Sequence, residues 1–301
     1  MASFKSWISA LRPRTLFLAA ATALCGNALA YSSGQFSSIV FVLTLSLALM
    51  LQLLSNLAND LGDFEHGTDV TGNRVGPERA LQSGSISSDE MKHAIYISTA
   101  LCAIIGLLLV YIALEFMNIA YILGFLLLGL ASIIAATRYT SGKNPYGYNG
   151  WGDLFSFFFF GPVAVIGTYF LNTHQVDFRP FLPAFGLGLL TASVLNVNNM
   201  RDLENDKASN KITIPVRIGF SKAKQYHSLL TFGALLCFVA YSIIYSENYW
   251  QNLYMISFLL FIKIIIDINK TKDKSKLDPY LKHTSLATFI LSLAFSICIS
   301  L

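Results

Sequence analysis

The chain has 301 residues, 54% hydrophobic and only 13% charged, with a formal net charge of +4 and a mean hydropathy of +0.56. A soluble domain carries roughly a quarter charged residues, so a water-soluble enzyme is set aside, and a membrane barrel is set aside because the apolar residues do not alternate. The modest positive charge lies in the connecting loops, which points to anionic lipid and anionic substrates rather than to nucleic acid.

In chain order the apolar residues form nine blocks, near 15–33, 37–58, 94–114, 117–137, 151–172, 180–200, 226–246, 250–268 and 281–300. Each has the length that crosses a hydrocarbon core of about 30 Å. The expected fold is therefore all-α: a polytopic membrane protein of about nine helices, one integral-membrane unit over 1–301. Arg12 and Arg14 precede the first block and no small-residue cleavage pattern closes it, so it reads as a retained span and not a signal peptide. Of the 21 basic residues, 20 fall on one side of this arrangement and only Arg179 falls opposite. The positive-inside rule then predicts a multi-pass protein of the cell inner membrane, with its N-terminus in the cytoplasm and its C-terminus outside. Cys25, Cys102, Cys237 and Cys298 all sit within spans without C-x-x-C pairing, which suggests buried apolar cysteine and neither a disulfide nor a metal site.

Two long loops on the basic side, 59–92 and 201–224, carry the chemistry. After the second span comes "NDLGDFEHGTD", with Asn59, Asp60, Asp63, Glu65, His66 and Asp69. After the sixth comes "NVNNMRDLENDK", with Asn198, Arg201, Asp202 and Asp206. Asn59 and Asp63 are spaced i, i+4, and Asn198, Asp202 and Asp206 continue to i+8, so each set lines one helix face. Carboxylates gathered at one depth repel unless a cation lies between them. Hard oxygen donors suit Mg²⁺, which takes one or two carboxylates together with a substrate phosphate. Arg74, Arg79, Arg201 and Lys211 stand beside the acids, where they would hold diphosphate oxygens that the metal does not reach. Solvated helix ends also carry Asn and Asp, but two clusters at one depth with basic neighbours favour a diphosphate–Mg²⁺ clamp. A third loop, "TRYTSGKNPYGYNGWGD", is dense in Tyr and Gly. It offers Arg138, Tyr139 and Lys143 to an aromatic acceptor or to the diphosphate, or else forms part of an interfacial aromatic belt.

Two Asp-rich motifs after the second and sixth of nine spans resemble the UbiA superfamily of intramembrane aromatic prenyltransferases, over essentially the whole chain. The superfamily's frequent first motif N-x-x-x-D-x-x-x-D does not fit. N-x-x-x-D-x-x-x-x-x-D does, on Asn59, Asp63 and Asp69. That spacing, with "GNRVGPERALQSGSIS", "YTSGKNPYGYNGWGD" and "GPVAVIGTYFLN", is similar to the branch that prenylates 1,4-dihydroxy-2-naphthoate. "NKITIPVRIG" is similar to the family segment whose lysine, here Lys211, contacts diphosphate, although Ile212 stands where an arginine is frequent. The resemblance implies a bundle around a central cavity, capped by cytoplasmic loops and open sideways to the lipid bilayer. It implies Asp63, Asp69, Asp202 and Asp206 as catalytic Mg²⁺ ligands, with Asn59 and Asn198 orienting ligands or phosphate. The implied reaction moves a polyprenyl group from polyprenyl diphosphate to the naphthoate, with loss of CO₂ and formation of a demethylmenaquinol. Other acceptors of the superfamily, such as 4-hydroxybenzoate, and a divalent-cation transporter are the competing expectations.

Overall fold

A computed structural model describes residues 2–70 and 79–301. Among the described residues nine helices are long and apolar enough to cross a membrane, as the hydropathy predicts. A short helix precedes them. α1 (Phe4–Leu11) starts where the Ser3 hydroxyl accepts from the Ser6 amide and stops at Arg12, which takes the left-handed conformation at φ 48°. Pro13 opens α2 (Pro13–Ser32), a position where the missing N–H has no helical partner to lose. The chain thus turns a sharp corner at Arg12.

α3 (Ser38–Glu65) runs seven residues beyond the expected end at 58. The extension is possible because the acids on this last stretch meet arginines and a lysine rather than lipid. A 3₁₀ turn, Thr68–Val70, follows and carries Asp69. α4 (Ser88–Leu114) begins earlier than hydropathy alone suggests, at a capping box formed by Ser87 and Glu90, which satisfies two amides the first turn would otherwise leave open. α5 (Ile119–Arg138) is capped by Asn118. α6 (Gly152–Thr173) widens into a π-helical stretch over Phe159–Ile166 around Pro162. Proline supplies no N–H and clashes with the preceding turn, and the wider turn accommodates both defects. α7 (Phe181–Arg201) is followed by two short helices, α8 (Leu203–Ala208) and α9 (Ile214–Ile218), and then by α10 (Phe220–Tyr245). α11 (Tyr249–Lys270) and α12 (Lys274–Cys298) complete the bundle.

α7 is the central helix: 67% of its spanning stretch is buried, against 6% for α5, which faces lipid. Lipid tails are as apolar as leucine, so these helices associate by close fit and by polar contacts. Gly161 of α6 and Gly188 of α7 supply the fit. A Cβ on Gly161 would lie 2.5 Å from the Ala184 carbonyl oxygen, and one on Gly188 would lie 2.6 Å from that of Phe157. At the end of the bundle away from the acidic motifs, Asn27 donates to Thr44 (3.0 Å) and accepts from Asn172 (3.0 Å), tying α2, α3 and α6 together. Ser285 and Ser292 of α12 donate to the Arg14 and Ala21 carbonyls of α2. All four cysteines are free, three of them buried.

Between α2, α3, α4, α5, α6 and α7 lies a cavity of about 500 Å³. Its walls are chiefly apolar. Leu107 and Leu130, both more than half exposed, stand on its α4–α5 side. Its polar end is formed by Asn59, Tyr139 and Asn198, next to the two acidic motifs.

Candidate active site

The C-terminal turns of α3 and α7 reach the same end of the bundle, and they bring the two acidic motifs together there. Asp63 and Asp69 are fully buried, and Asp202 and Asp206 nearly so. Isolated buried carboxylates would be costly. Here they meet three buried cations, Arg79, Lys211 and Arg201. The Arg79 guanidinium reaches Asp63 at 2.7 Å, Asp69 at 3.4 Å and Asp60 at 3.6 Å. It also donates to the Asn59 carbonyl (3.2 Å) and side-chain oxygen (3.3 Å). The Lys211 ammonium reaches across, to Asp63 of the first motif at 3.2 Å and to Asp206 of the second at 3.8 Å. Its position comes from the chain folding back after α8, where the Lys211 amide donates to the Asp206 carbonyl at 2.8 Å.

The second motif has its own arrangement. The Arg201 guanidinium grips neighbouring Asp202 with two bonds, 2.8 and 2.6 Å, and donates to Asn198 at 3.0 Å. It also pairs with Asp278 at the start of α12, and Asp278 accepts from Arg14 of α2 at 3.3 Å. Three helices are thereby pinned beneath the second motif.

The Tyr–Gly loop lies over both. Tyr148 donates to Asp63 at 2.9 Å and bonds Thr68. Thr140 and Ser141 donate to the Ala58 carbonyl at 3.3 and 3.2 Å. This seating needs glycines. A Cβ on Gly62 would stand 2.5 Å from the Thr140 hydroxyl and 2.6 Å from its carbonyl, and one on Gly147 would meet the Tyr139 ring at 2.6 Å. Tyr139 lines the cavity and begins an aromatic row with Tyr146 and Phe155, at centroid separations of 5.4 and 4.1 Å.

Electrostatics follow from this burial. Burial works against the charge on Arg79, but Asp63, Asp69, Asp60 and Asp202 outweigh it, so its pKa is raised. Burial likewise disfavours the Lys211 ammonium, and Asp63 and Asp206 reverse the effect, giving a net rise. Asp206 goes the other way for a carboxylate. Burial, reinforced by Asp202 and Asp63 and opposed by Lys211 and Arg79, pushes its carboxyl up to about 7. Burial, and then Asp63, also raise the Tyr148 phenol, which stays a donor.

Most of the expected residues converge: Asn59, Asp63, Asp69, Arg79, Asn198, Arg201, Asp202, Asp206 and Lys211, with Tyr139 at the cavity. Arg138 and Lys143 do not join them. Both are exposed and neither lines the cavity. α5 ends at Arg138, and its guanidinium packs over Gly142 instead of turning inward. Arg74 lies outside the described residues. Asp60, one helical step off the Asp63 face, is held by Arg79 and by Arg12 (3.7 Å). His66 caps α3 through the Gly62 carbonyl and is exposed. The sequence alone does not single out Tyr148 or Asp278 as members of the site. Nothing marks Tyr148 among the loop's tyrosines, and Asp278 stands alone in sequence.

Among the described residues no three acidic, histidine or cysteine side chains converge on one point as a preformed metal nest. The donor chemistry nevertheless fits Mg²⁺: four buried carboxylates offer hard oxygens, and Asp206 Oδ2 is buried without a hydrogen-bond partner. A metal on Asp63 would have to displace Arg79 and Lys211 from it, and an anionic ligand would offer those two cations new oxygens to bind.

Residues 19–286 match the model of the UbiA prenyltransferase family. The chain is 39% identical to a 1,4-dihydroxy-2-naphthoate octaprenyltransferase of Escherichia coli, covering 97% of this chain and 94% of the relative. It is 34% identical to one of Mycobacterium tuberculosis, with 98% and 96% covered. In fold it matches a UbiA homologue from Archaeoglobus fulgidus bound to GPP and Mg²⁺, with a TM-score of 0.68 at 17% identity over 98% of this chain and all of that one. A homologue from Aeropyrum pernix gives 0.67 at 17% identity, with 92% and 98% covered. With two buried acidic motifs at the head of an apolar cavity and a family match over most of its length, the chain belongs to the UbiA prenyltransferase family.

Proposed function

We propose that the protein transfers a polyprenyl group from polyprenyl diphosphate to 1,4-dihydroxy-2-naphthoate, with loss of CO₂, giving a demethylmenaquinol. The observation that carries the reading is Lys211, which joins Asp63 of the first motif to Asp206 of the second beside a long apolar cavity. That is a place for an anionic head with an apolar tail. The relatives' names supply the acceptor.

In this reading Asp63 and Asp69 would hold one Mg²⁺ and Asp202 and Asp206 another. The metal supplies positive charge against the leaving diphosphate. Arg79 and Lys211 bind the oxygens left over, and Arg201 keeps Asp202 and Asn198 oriented toward the site. Asn59 and Asn198 line the cavity and would orient the diphosphate. Tyr148 holds Asp63 in place. These fixed charges stabilise the negative charge that develops as the allylic C–O bond breaks. The apolar walls take the polyprenyl tail and keep water from the allylic centre. Phe155 and Phe159 continue the aromatic row from Tyr139 along the wall. With 20 of 21 basic residues on one side, the site opens to the cytoplasmic face of the inner membrane, and the N-terminus lies on the same side.

The test is a product assay. Purified protein in lipid, given Mg²⁺, several polyprenyl diphosphates and 1,4-dihydroxy-2-naphthoate, should yield the decarboxylated prenyl product by mass spectrometry, and EDTA should abolish it. Prenylation of 4-hydroxybenzoate but not of the naphthoate would overturn the acceptor.

A further inference from the structure

The cavity carries a charge that the clamp does not use. Arg12 is the only charged side chain among the described residues that line it. Arg79 and Lys211 are nearly fully buried outside that lining. Arg12 is half-buried and sits on the corner between α1 and α2, in a left-handed backbone conformation. A non-glycine residue held in that region costs free energy, and such residues concentrate at ligand sites.

The corner is fastened from several sides. The Thr15 amide and hydroxyl both donate to the Arg12 carbonyl at 2.9 Å. Asn56 of α3 donates to the Leu11 carbonyl at 2.8 Å and to the Thr15 hydroxyl at 2.9 Å. Gln52, one turn deeper, donates to Asn56 at 3.0 Å. Thr15, Gln52 and Asn56 line the same cavity. Together with Arg12 they form a compact polar corner in a chiefly apolar wall. It holds a fixed guanidinium and side chains able to bond hydroxyls. An apolar cavity with a few convergent polar groups is the usual form of a small-molecule site.

The corner also lies at the right distance from the clamp. Arg12 reaches Asp60 at 3.7 Å, Arg79 reaches Asp60 at 3.6 Å from its other side, and Arg79 then reaches Asp63 at 2.7 Å. Arg12 is therefore one acid removed from the proposed metal-binding set and lines the cavity that would hold the donor's reacting end. We propose that Arg12 binds the carboxylate of the aromatic acceptor and so orients the ring toward that carbon. The inference rests on the naphthoate reading above. A guanidinium suits this task because its fork meets a carboxylate with two parallel bonds.

The experiment uses the full-length protein and its Arg12→Gln and Arg12→Lys variants. In Arg12→Gln, Asp60 keeps Arg79, so the bundle is expected to stay folded. Without donor, calorimetry compares 1-hydroxy-2-naphthoate with 1-naphthol, which lacks the carboxylate. Wild type should prefer the carboxylate, Arg12→Gln should lose that preference roughly 10- to 100-fold, and Arg12→Lys should fall between. In turnover the acceptor KM should rise by a similar factor in Arg12→Gln while the donor KM stays within about twofold. A raised donor KM with an unchanged acceptor KM would assign Arg12 to the diphosphate and overturn the proposal. So would unchanged naphthoate preference in Arg12→Gln. If wild type neither binds nor prenylates carboxylated naphthols, the proposed acceptor fails first, and the role of Arg12 fails with it.

Discussion

The two acidic motifs look alike in sequence, but the protein holds them in different ways. The first is neutralised from outside: Asp63 depends on Arg79, Lys211 and Tyr148, which are 16, 148 and 85 residues away. The second is neutralised from within, since Asp202 is gripped by adjacent Arg201, and Asp206 keeps a buried oxygen without a hydrogen-bond partner. The first motif is thus assembled only when loops and helices close on it. The second is largely formed by one helix end and anchored by Asp278. On the proposed reading, a diphosphate entering with metal would exchange partners chiefly at the first motif, where Arg79 and Lys211 meet Asp63.

The difference can be tested by breaking either side. The largest effect belongs to Asp63→Asn and Asp202→Asn, each of which should lower prenyl transfer on the order of 10³-fold or more, because the charge facing the diphosphate is lost. Their stabilities should diverge. Asp63→Asn leaves two buried cations short of a partner, a loss of the kind worth about 3–5 kcal/mol. Asp202→Asn leaves Arg201 with Asp278, so thermal unfolding in detergent should show the greater drop for Asp63→Asn. Equal drops would remove the distinction.

Next in size is Lys211→Gln, which cuts the link from Asp63 of the first motif to Asp206 of the second. Turnover should fall roughly 10- to 100-fold, with a raised donor KM.

A smaller effect comes from Asp206. Its carboxyl is held at about 7, above the ordinary 3.8, so the metal-free protein carries the proton below that pH and the carboxylate above it. Metal needs the carboxylate. Mg²⁺ affinity should therefore rise between pH 6 and 8 and then level off. Proton release on binding, measured by calorimetry in buffers of different ionisation enthalpy, should be near one at pH 6 and near zero at pH 8.5. Unchanged release across that range would contradict the assignment. Gly62→Ala should cost about 1–3 kcal/mol, as overpacking does, because the new methyl meets Thr140. Lys143→Ala should do least, within about ±0.5 kcal/mol in stability and with near-normal turnover.

The sequence discloses the bundle because long apolar blocks leave few alternatives to membrane helices, and their bounds agree with the structure to within a few residues at most ends. Hydropathy alone ends the second span near 58, and the i, i+4 spacing of Asn59 and Asp63 is what signals that the helix goes on toward Glu65. The sequence misses the π-helical widening of α6 at Phe159–Ile166, which Pro162 hints at without fixing its length. The acids of the site are legible because their helical spacing survives in the chain. Their partners are less so. Tyr148 meets Asp63 and Asp278 meets Arg201 across 85 and 77 residues, and only the fold creates those contacts. The exposed Arg138 and Lys143 show the converse: basic residues near a site in sequence need not face it.

The most direct test of a single shared clamp is a binding titration. A non-reactive thiolo analogue of the polyprenyl diphosphate is titrated, with and without Mg²⁺, into wild type, Asp63→Asn and Asp202→Asn. The account predicts Mg²⁺-dependent binding by wild type and its loss in each variant alone, since both motifs hold one diphosphate. Retention of wild-type, Mg²⁺-dependent affinity in either variant would contradict it.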